Sequence, residues 1–281
     1  MLPAFLKLFD GLPAILVVAQ RVVWTVPAAL ILALLINGVR SLKVSRRTLG
    51  LLAVSGVLIG TNWLVYVWAV GQARIVETSL GYFINPLINV AIGMLFFREK
   101  MSVIQISALG LALAGVLNQT LLVGAFPWVA LALAGTFAAY GLVRKLTDVA
   151  PAAGMVWESA ILLGPALACM WWLAGQGQPL GGGSWEMAVL LMLAGPATAI
   201  PLILFAGGAR KLPFATLGLL QYVAPTLQFA TGIHFGEAFT PAHAVTFTLI
   251  WLGLALYSWG SFRALAVARG EAVRTKETPT G

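Results

Sequence analysis

Apolar residues in this chain run in long unbroken blocks instead of recurring every second or every third to fourth position. Twenty uncharged residues separate Glu77 from Arg98, enough for a helix to cross a hydrocarbon core of roughly 30 Å. Blocks of similar length run from Pro13 to Asn37, Leu49 to Val70, Val103 to Val123, Trp128 to Val143, Ala152 to Leu173, Trp185 to Ala206, Phe214 to Phe235 and His243 to Phe262. Met1–Phe9 is apolar except for Lys7, but nine residues cannot span a membrane. The pattern predicts nine whole transmembrane helices and a fragment, with a polar, disordered tail from Ala264 to Gly281.

Polar residues inside these blocks carry the chemistry. Asn85, Pro86 and Asn89 interrupt the block after Glu77. Proline has no N–H to donate, so Pro86 predicts a broken helix with the Tyr82 carbonyl freed. In lipid that carbonyl needs protein or a watered cavity. Asn85 and Asn89, four apart, share one helix face. They could line a solute cavity or, as intramembrane amides often do, join helices.

Charge placement orients the chain. Only 9% of the 281 residues are charged against 60% hydrophobic, and the mean hydropathy is +0.94, values of a polytopic membrane protein. All but three of the 17 basic residues fall in alternate loops or the tail, the exceptions being Lys7, Arg21 and Arg74. The basic side is cytoplasmic by the positive-inside rule, and the C-terminus lies there. A single cysteine, Cys169, excludes an internal disulfide. There is no phosphate-binding glycine loop, no metal-ligand spacing and no basic, aromatic-interleaved surface for nucleic acid.

The chain also repeats itself. An offset of 138 takes Lys7-Leu8 to Lys145-Leu146, Asp10 to Asp148, Pro13-Ala14 to Pro151-Ala152, Pro27 to Pro165 and Glu99 to Glu237. Slips of one residue align Ser79-Leu80-Gly81 with Thr216-Leu217-Gly218 and Pro86 with Pro225. Each unit holds five spans, an odd number, so the second enters the membrane inverted, an architecture of secondary transporters. The fold expected is an all-α integral membrane protein, a ten-helix inverted repeat (5+5) whose first helix is truncated at its N-terminal end. Its units are 1–123, incomplete at the N-terminus, and 124–262, followed by the tail 263–281.

Candidate site residues follow from the repeat. Gln20 aligns with Glu158, so Arg21 and Glu158 stand one position apart on equivalent helices. A buried arginine needs a cavity or a partner, and an Arg21–Glu158 pair, direct or through substrate, is expected; a static structural ion pair is the alternative. Asn62, Trp63 and Tyr66 share a face and offer an aromatic wall with a polar handle. Gln221 and Tyr222 flank Pro225 as Asn85 and Asn89 flank Pro86. The substrate-binding set expected is Arg21, Asn62, Trp63, Tyr66, Asn85, Asn89, Glu158, Gln221 and Tyr222. Gln228 also flanks Pro225, and Trp24, Tyr82 and Tyr140 are weaker members.

The stretches LPAFLKLFDGLPAILVVAQRVVWT, NWLVYVWAV, SLGYFINPLINVAIGMLFFREK and LGLLQYVAPTLQF, with the later FGEAFT, carry a specific resemblance. The chain resembles the EamA-type drug/metabolite transporters, within them the RarD branch whose members bear the name chloramphenicol-sensitive protein. The resemblance implies ten helices, a central cavity, and movement of small metabolites or drugs across the inner membrane. Two departures stand out: the incomplete first helix, and Gln20 before Arg21 where the family pattern has histidine.

Three functions compete on the residues alone. A secondary transporter, probing both sides by alternating access and exporting its solute, fits the cavity residues and needs no cofactor. A membrane enzyme acting on a lipid or small molecule would need an acid/base or nucleophile cluster at one depth. Against that stand one intramembrane carboxylate and two histidines, His234 and His243, far from it along the chain. A channel would need a continuous polar ring. The partners expected are a small-molecule substrate and the lipid bilayer, with a homodimer left open and no nucleic acid.

Overall fold

The computed structural model describes residues 2–97, 102–122, 126–211, 223–236 and 239–277. In chain order these form α1 (Leu2–Lys7), α2 (Ala14–Asn37), a short 3-10 turn (Val39–Leu42), α3 (Arg46–Gly71), α4 (Ile75–Phe97) and α5 (Val103–Leu122). Then come α6 (Trp128–Leu146), α7 (Pro151–Gly175), α8 (Trp185–Lys211), α9 (Val223–His234) and α10 (Pro241–Glu277). The described residues are all-helical, and seven helices (α2, α3, α4, α6, α7, α8 and α10) are long and apolar enough to cross a membrane. In α5 the qualifying apolar stretch, Ile106–Gly115, is shorter.

Two local expectations are corrected. Helix α4 runs unbroken through Pro86; one missing N–H bond is tolerated when neighbouring helices enclose the backbone, and Pro86 is buried. The tail read as disordered is instead helical to Glu277. Its Ala, Arg, Glu and Lys residues are strong helix formers, and no proline interrupts them before Pro279.

Small residues set the helix crossings, as expected where lipid removes most of the hydrophobic drive and close packing decides. On α3 the pair Gly56 and Gly60, one turn apart, meets Glu158 and Leu162 of α7. The same order on both helices makes α3 and α7 parallel, and α2, which turns back into α3 through residues 38–45, antiparallel to both. On α2 the Trp24 backbone fills the place where a Gly195 Cβ would stand. Helix α4 meets α6 at Gly81, against the Ala130 backbone, and α10 meets α5 at Gly253, against the Ala108 carbonyl. The α2, α3, α6, α7 and α8 group packs around Val22, Ile59, Trp63, Tyr140, Met155 and Ala199. A separate core joins α4, α6 and α10 around Phe83, Ala134 and Phe247.

Candidate functional site

Helix α3 is the spine on which two buried polar clusters are mounted. Toward its C-terminal end, Trp63 lies under the Arg21 guanidinium of α2, 5.1 Å from ring centroid to Cζ. Arg21 is 3% exposed. Its Nε donates to Thr198 Oγ1 of α8 at 3.1 Å, and its Nη1 has no hydrogen-bond partner. Tyr66 and Tyr82 stand close by, packed edge to face with centroids 5.7 Å apart. Burying an arginine at membrane depth costs about 2.5–3.5 kcal/mol even on insertion scales. The cation–π contact returns up to about 2 kcal/mol of this when desolvated.

Next to this cluster Asn62 bridges α3 to α6. Its Nδ2 donates to the Leu133 carbonyl and to Thr136 Oγ1, both at 2.9 Å, while the Tyr82 hydroxyl reaches its Oδ1 at 3.5 Å. Gln20, one residue before Arg21, donates to the Leu180 carbonyl at 2.8 Å and accepts from Trp24 Nε1 at 3.0 Å. It thereby ties the 176–184 loop to α2.

The second cluster sits toward the N-terminal end of α3. Ser55 donates to Glu158 Oε1 at 2.5 Å. Arg144 Nη1 lies 3.7 Å from the same oxygen, and both side chains are essentially inaccessible. Tyr140 adjoins this carboxylate. The arginine reaches it only because residue 154 is glycine: its guanidinium occupies the space a Cβ would fill. Arg144 Nη2 also donates to the Pro151 carbonyl at 3.1 Å. Glu158 Oε2 and Arg144 Nε keep no hydrogen-bond partner.

The expected Arg21–Glu158 ion pair is therefore corrected: the cation beside Glu158 is Arg144, and Arg21 pairs with no carboxylate among the described residues. The reason is depth. Arg21 stands seven residues into α2 and Glu158 seven into α7, but the two helices are antiparallel. Their anchors on α3, Trp63 and Ser55, are eight residues apart, about 12 Å along the axis.

Of the other predicted site residues, Asn62, Trp63 and Tyr66 join the Arg21 cluster, each 5% exposed or less. Asn85 is buried and Asn89 half-buried on α4. Gln221 and Tyr222 lie outside the described residues. Reading the sequence missed Thr198, Thr136, Ser55 and Arg144. Arg144 was counted among the loop charges; Gly154 and the extension of α6 to Leu146 are what turn it inward. The hydroxyl residues carried no signal, because serine and threonine are common in membrane helices.

A cavity of about 310 Å³ opens at the end of the bundle where α1, the 8–13 turn, and the C-terminal end of α3 meet. Val17 and Val67 form part of its wall. Each lies four residues, one turn, from Arg21 and Trp63 respectively, on the same helix faces.

These features define a polytopic helical membrane protein with buried charge clusters at two depths. Comparison with known proteins gives its kinship. Residues 2–119 match the EamA-like transporter family. An uncharacterized transporter of Pseudomonas aeruginosa is 42% identical, over 94% of this chain and 90% of its own. Protein RarD of Streptomyces exfoliatus is 38% identical over 96% and 87%, and Protein RarD of Escherichia coli K12 is 39% identical over 91% and 88%. A crystal structure 18% identical superposes with a TM-score of 0.62 over 89% of each chain, a likeness of fold. The chain belongs to the EamA-like transporter family, in its RarD branch.

Proposed function

We propose that this protein is a secondary active transporter that exports a small metabolite or drug-like solute across the bacterial inner membrane by alternating access. In this reading the chain folds as two inverted five-helix units, 1–123 and 124–262, with the 263–281 tail on the cytoplasmic side. The solute meets Arg21, Asn62, Trp63, Tyr66, Asn85 and Asn89 along one half of its path and Glu158 along the other, with Gln221 and Tyr222 completing the set. The observation that carries the reading is the pair of buried charge clusters on one packed group of helices, at depths about 12 Å apart along α3. A static bundle gains nothing from two separate buried cations, each costly to desolvate. A transporter that seals first one end and then the other uses polar contacts at two depths. The relatives named transporters support the same reading. No covalent step is involved.

The test is a comparison of metabolites released by cells expressing the wild-type chain, Arg21→Gln or Glu158→Gln, at matched membrane abundance. At least one solute should accumulate outside wild-type cells and not outside either variant. Identical exometabolomes for all three would refute the reading.

A further inference from the structure

We infer that the solute recognised at the Arg21 cluster is a small organic monocarboxylate with an apolar, flat body, released through the 310 Å³ vestibule at the α1 end. This rests on the transport reading for the solute's passage, but the binding chemistry comes from the cluster itself.

Charge balance leads to the class. Among the described residues Asp10 is held by Lys7 at 3.4 Å, Glu77 by Arg74 at 2.7 Å, Asp148 by Arg210 at 3.1 Å and Glu158 by Arg144 at 3.7 Å. Arg21 has no such partner, and its polar neighbours are a threonine and two tyrosines. A guanidinium presents five donors in a fixed plane suited to a carboxylate or phosphate fork. With Nε on Thr198 and one face on Trp63, Nη1 remains without an acceptor. One carboxylate would neutralise this single charge. A phosphate monoester would bring close to two charges and leave one uncompensated in an apolar surround, so the carboxylate is favoured.

The surroundings set the body of the ligand. Trp63, Tyr66 and Tyr82 stand around the guanidinium, and the aromatic run continues from Tyr82 to Phe137 with centroids 6.0 Å apart. Flat apolar groups pack well against such ring faces and edges. Access follows from register: Val17 and Val67 of the vestibule wall stand one turn above Arg21 and Trp63. Those two valines are the wall residues nearest in register to the guanidinium and to the Trp63 ring. The one acidic group of the vestibule wall, Asp10, is already paired with Lys7, which weakens its repulsion of a passing anion.

The experiment uses the full chain in detergent and four probes of nearly the same shape: 3-phenylpropanoate, 3-phenylpropanamide, 3-phenylpropylamine and 2-phenylethyl phosphate. Binding is read by thermal shift and calorimetry. The acid should bind at least about tenfold tighter than the amide, the amine and the phosphate, as a charge-assisted pair implies. Arg21→Gln should erase that preference, and Arg21→Lys should keep the preference at lower affinity. The amide, amine or phosphate binding as well as the acid would overturn the inference, as would silence from all four, or Arg21→Gln keeping the preference. Counterflow of labelled acid in proteoliposomes at alkaline pH separates this from the transport reading. Acid bound but never moved sustains the carboxylate site and sinks transport, whereas movement of the amine alone does the reverse.

Discussion

Separating Arg144 from Glu158 and leaving Arg21 in place tests the two-cluster geometry directly. Glu158→Gln would strand Arg144, which is 3% exposed, without a counter-charge, a change expected to cost about 3–5 kcal/mol. Arg144→Met should cost a similar amount by leaving the carboxylate, held by Ser55 and Tyr140, without a counter-charge. The double variant Arg144→Met/Glu158→Gln removes both charges, so the two costs should fall short of adding by roughly 1–3 kcal/mol. Arg21→Gln combined with Glu158→Gln should behave differently. Their anchors on α3 are about 12 Å apart along the axis, and sites that distant add to within about 0.5 kcal/mol. Unfolding of the purified protein in increasing dodecyl sulfate, followed by tryptophan emission, measures all the terms. Coupling between Arg21 and Glu158 above that limit, or strict additivity of Arg144 with Glu158, would refute the assignment of partners.

Further expectations test packing and orientation. Gly195→Ala puts a Cβ into the Trp24 backbone and should destabilise by about 1–3 kcal/mol through overpacking. Gly164→Ala, whose Cβ would meet nothing within 4 Å, should be neutral or stabilising by up to about 1 kcal/mol; equal effects in a thermal melt would contradict the crossing. Asn62→Leu removes two interhelical donor contacts and should lower stability by about 1–2 kcal/mol, read in the same melt. In the proposed orientation a reporter fused after Thr275 reads cytoplasmic and one inserted at Gly181–Gly183 reads periplasmic. Exchanged signals would reverse the topology.

How much of this was legible in the sequence differs between helices and site. Uninterrupted apolar runs located the helices well: Pro13–Asn37 and Leu49–Val70 are close to the observed Ala14–Asn37 and Arg46–Gly71. The aromatic-amide face of α3 was also readable, because i, i+1, i+4 spacing places Asn62, Trp63 and Tyr66 on one side of any helix. Helix continuity was not. Pro86 was read as a break because a proline's lost hydrogen bond is local, whereas the packing that lets α4 continue comes from other helices. The tail failed for a different reason: its polarity resembles disorder, but its residues individually favour helix.

Partner choice at the site was the least legible, and the cause is geometric. Repeat alignment put Arg21 and Glu158 one position apart on equivalent helices; the two stand the same number of residues into α2 and α7, and those helices do pack together. Equal distance along two antiparallel helices means unequal depth, so the alignment that suggested the pair is what keeps it apart. Arg21 needs a counter-charge from elsewhere, and Glu158 takes the nearest cation at its own depth, Arg144 on α6. That cation looked like a loop charge until Gly154 opened a seat for it. The same inversion then gives each cluster its function in the proposed cycle. In the proposed orientation an exported solute enters from the cytoplasmic end, meets a carboxylate already neutralised by Arg144, and reaches the Arg21 guanidinium, unpaired among the described residues, before leaving at the α1 end. The two depths thus differ in net charge, neutral at the Glu158–Arg144 pair and positive at Arg21. Glu158→Arg, which would leave two unpaired cations at the far depth, the introduced guanidinium and Arg144, should blunt net export of a carboxylate more than its binding. Counterflow surviving in that variant while net efflux falls would support the argument, and equal loss of both would oppose it.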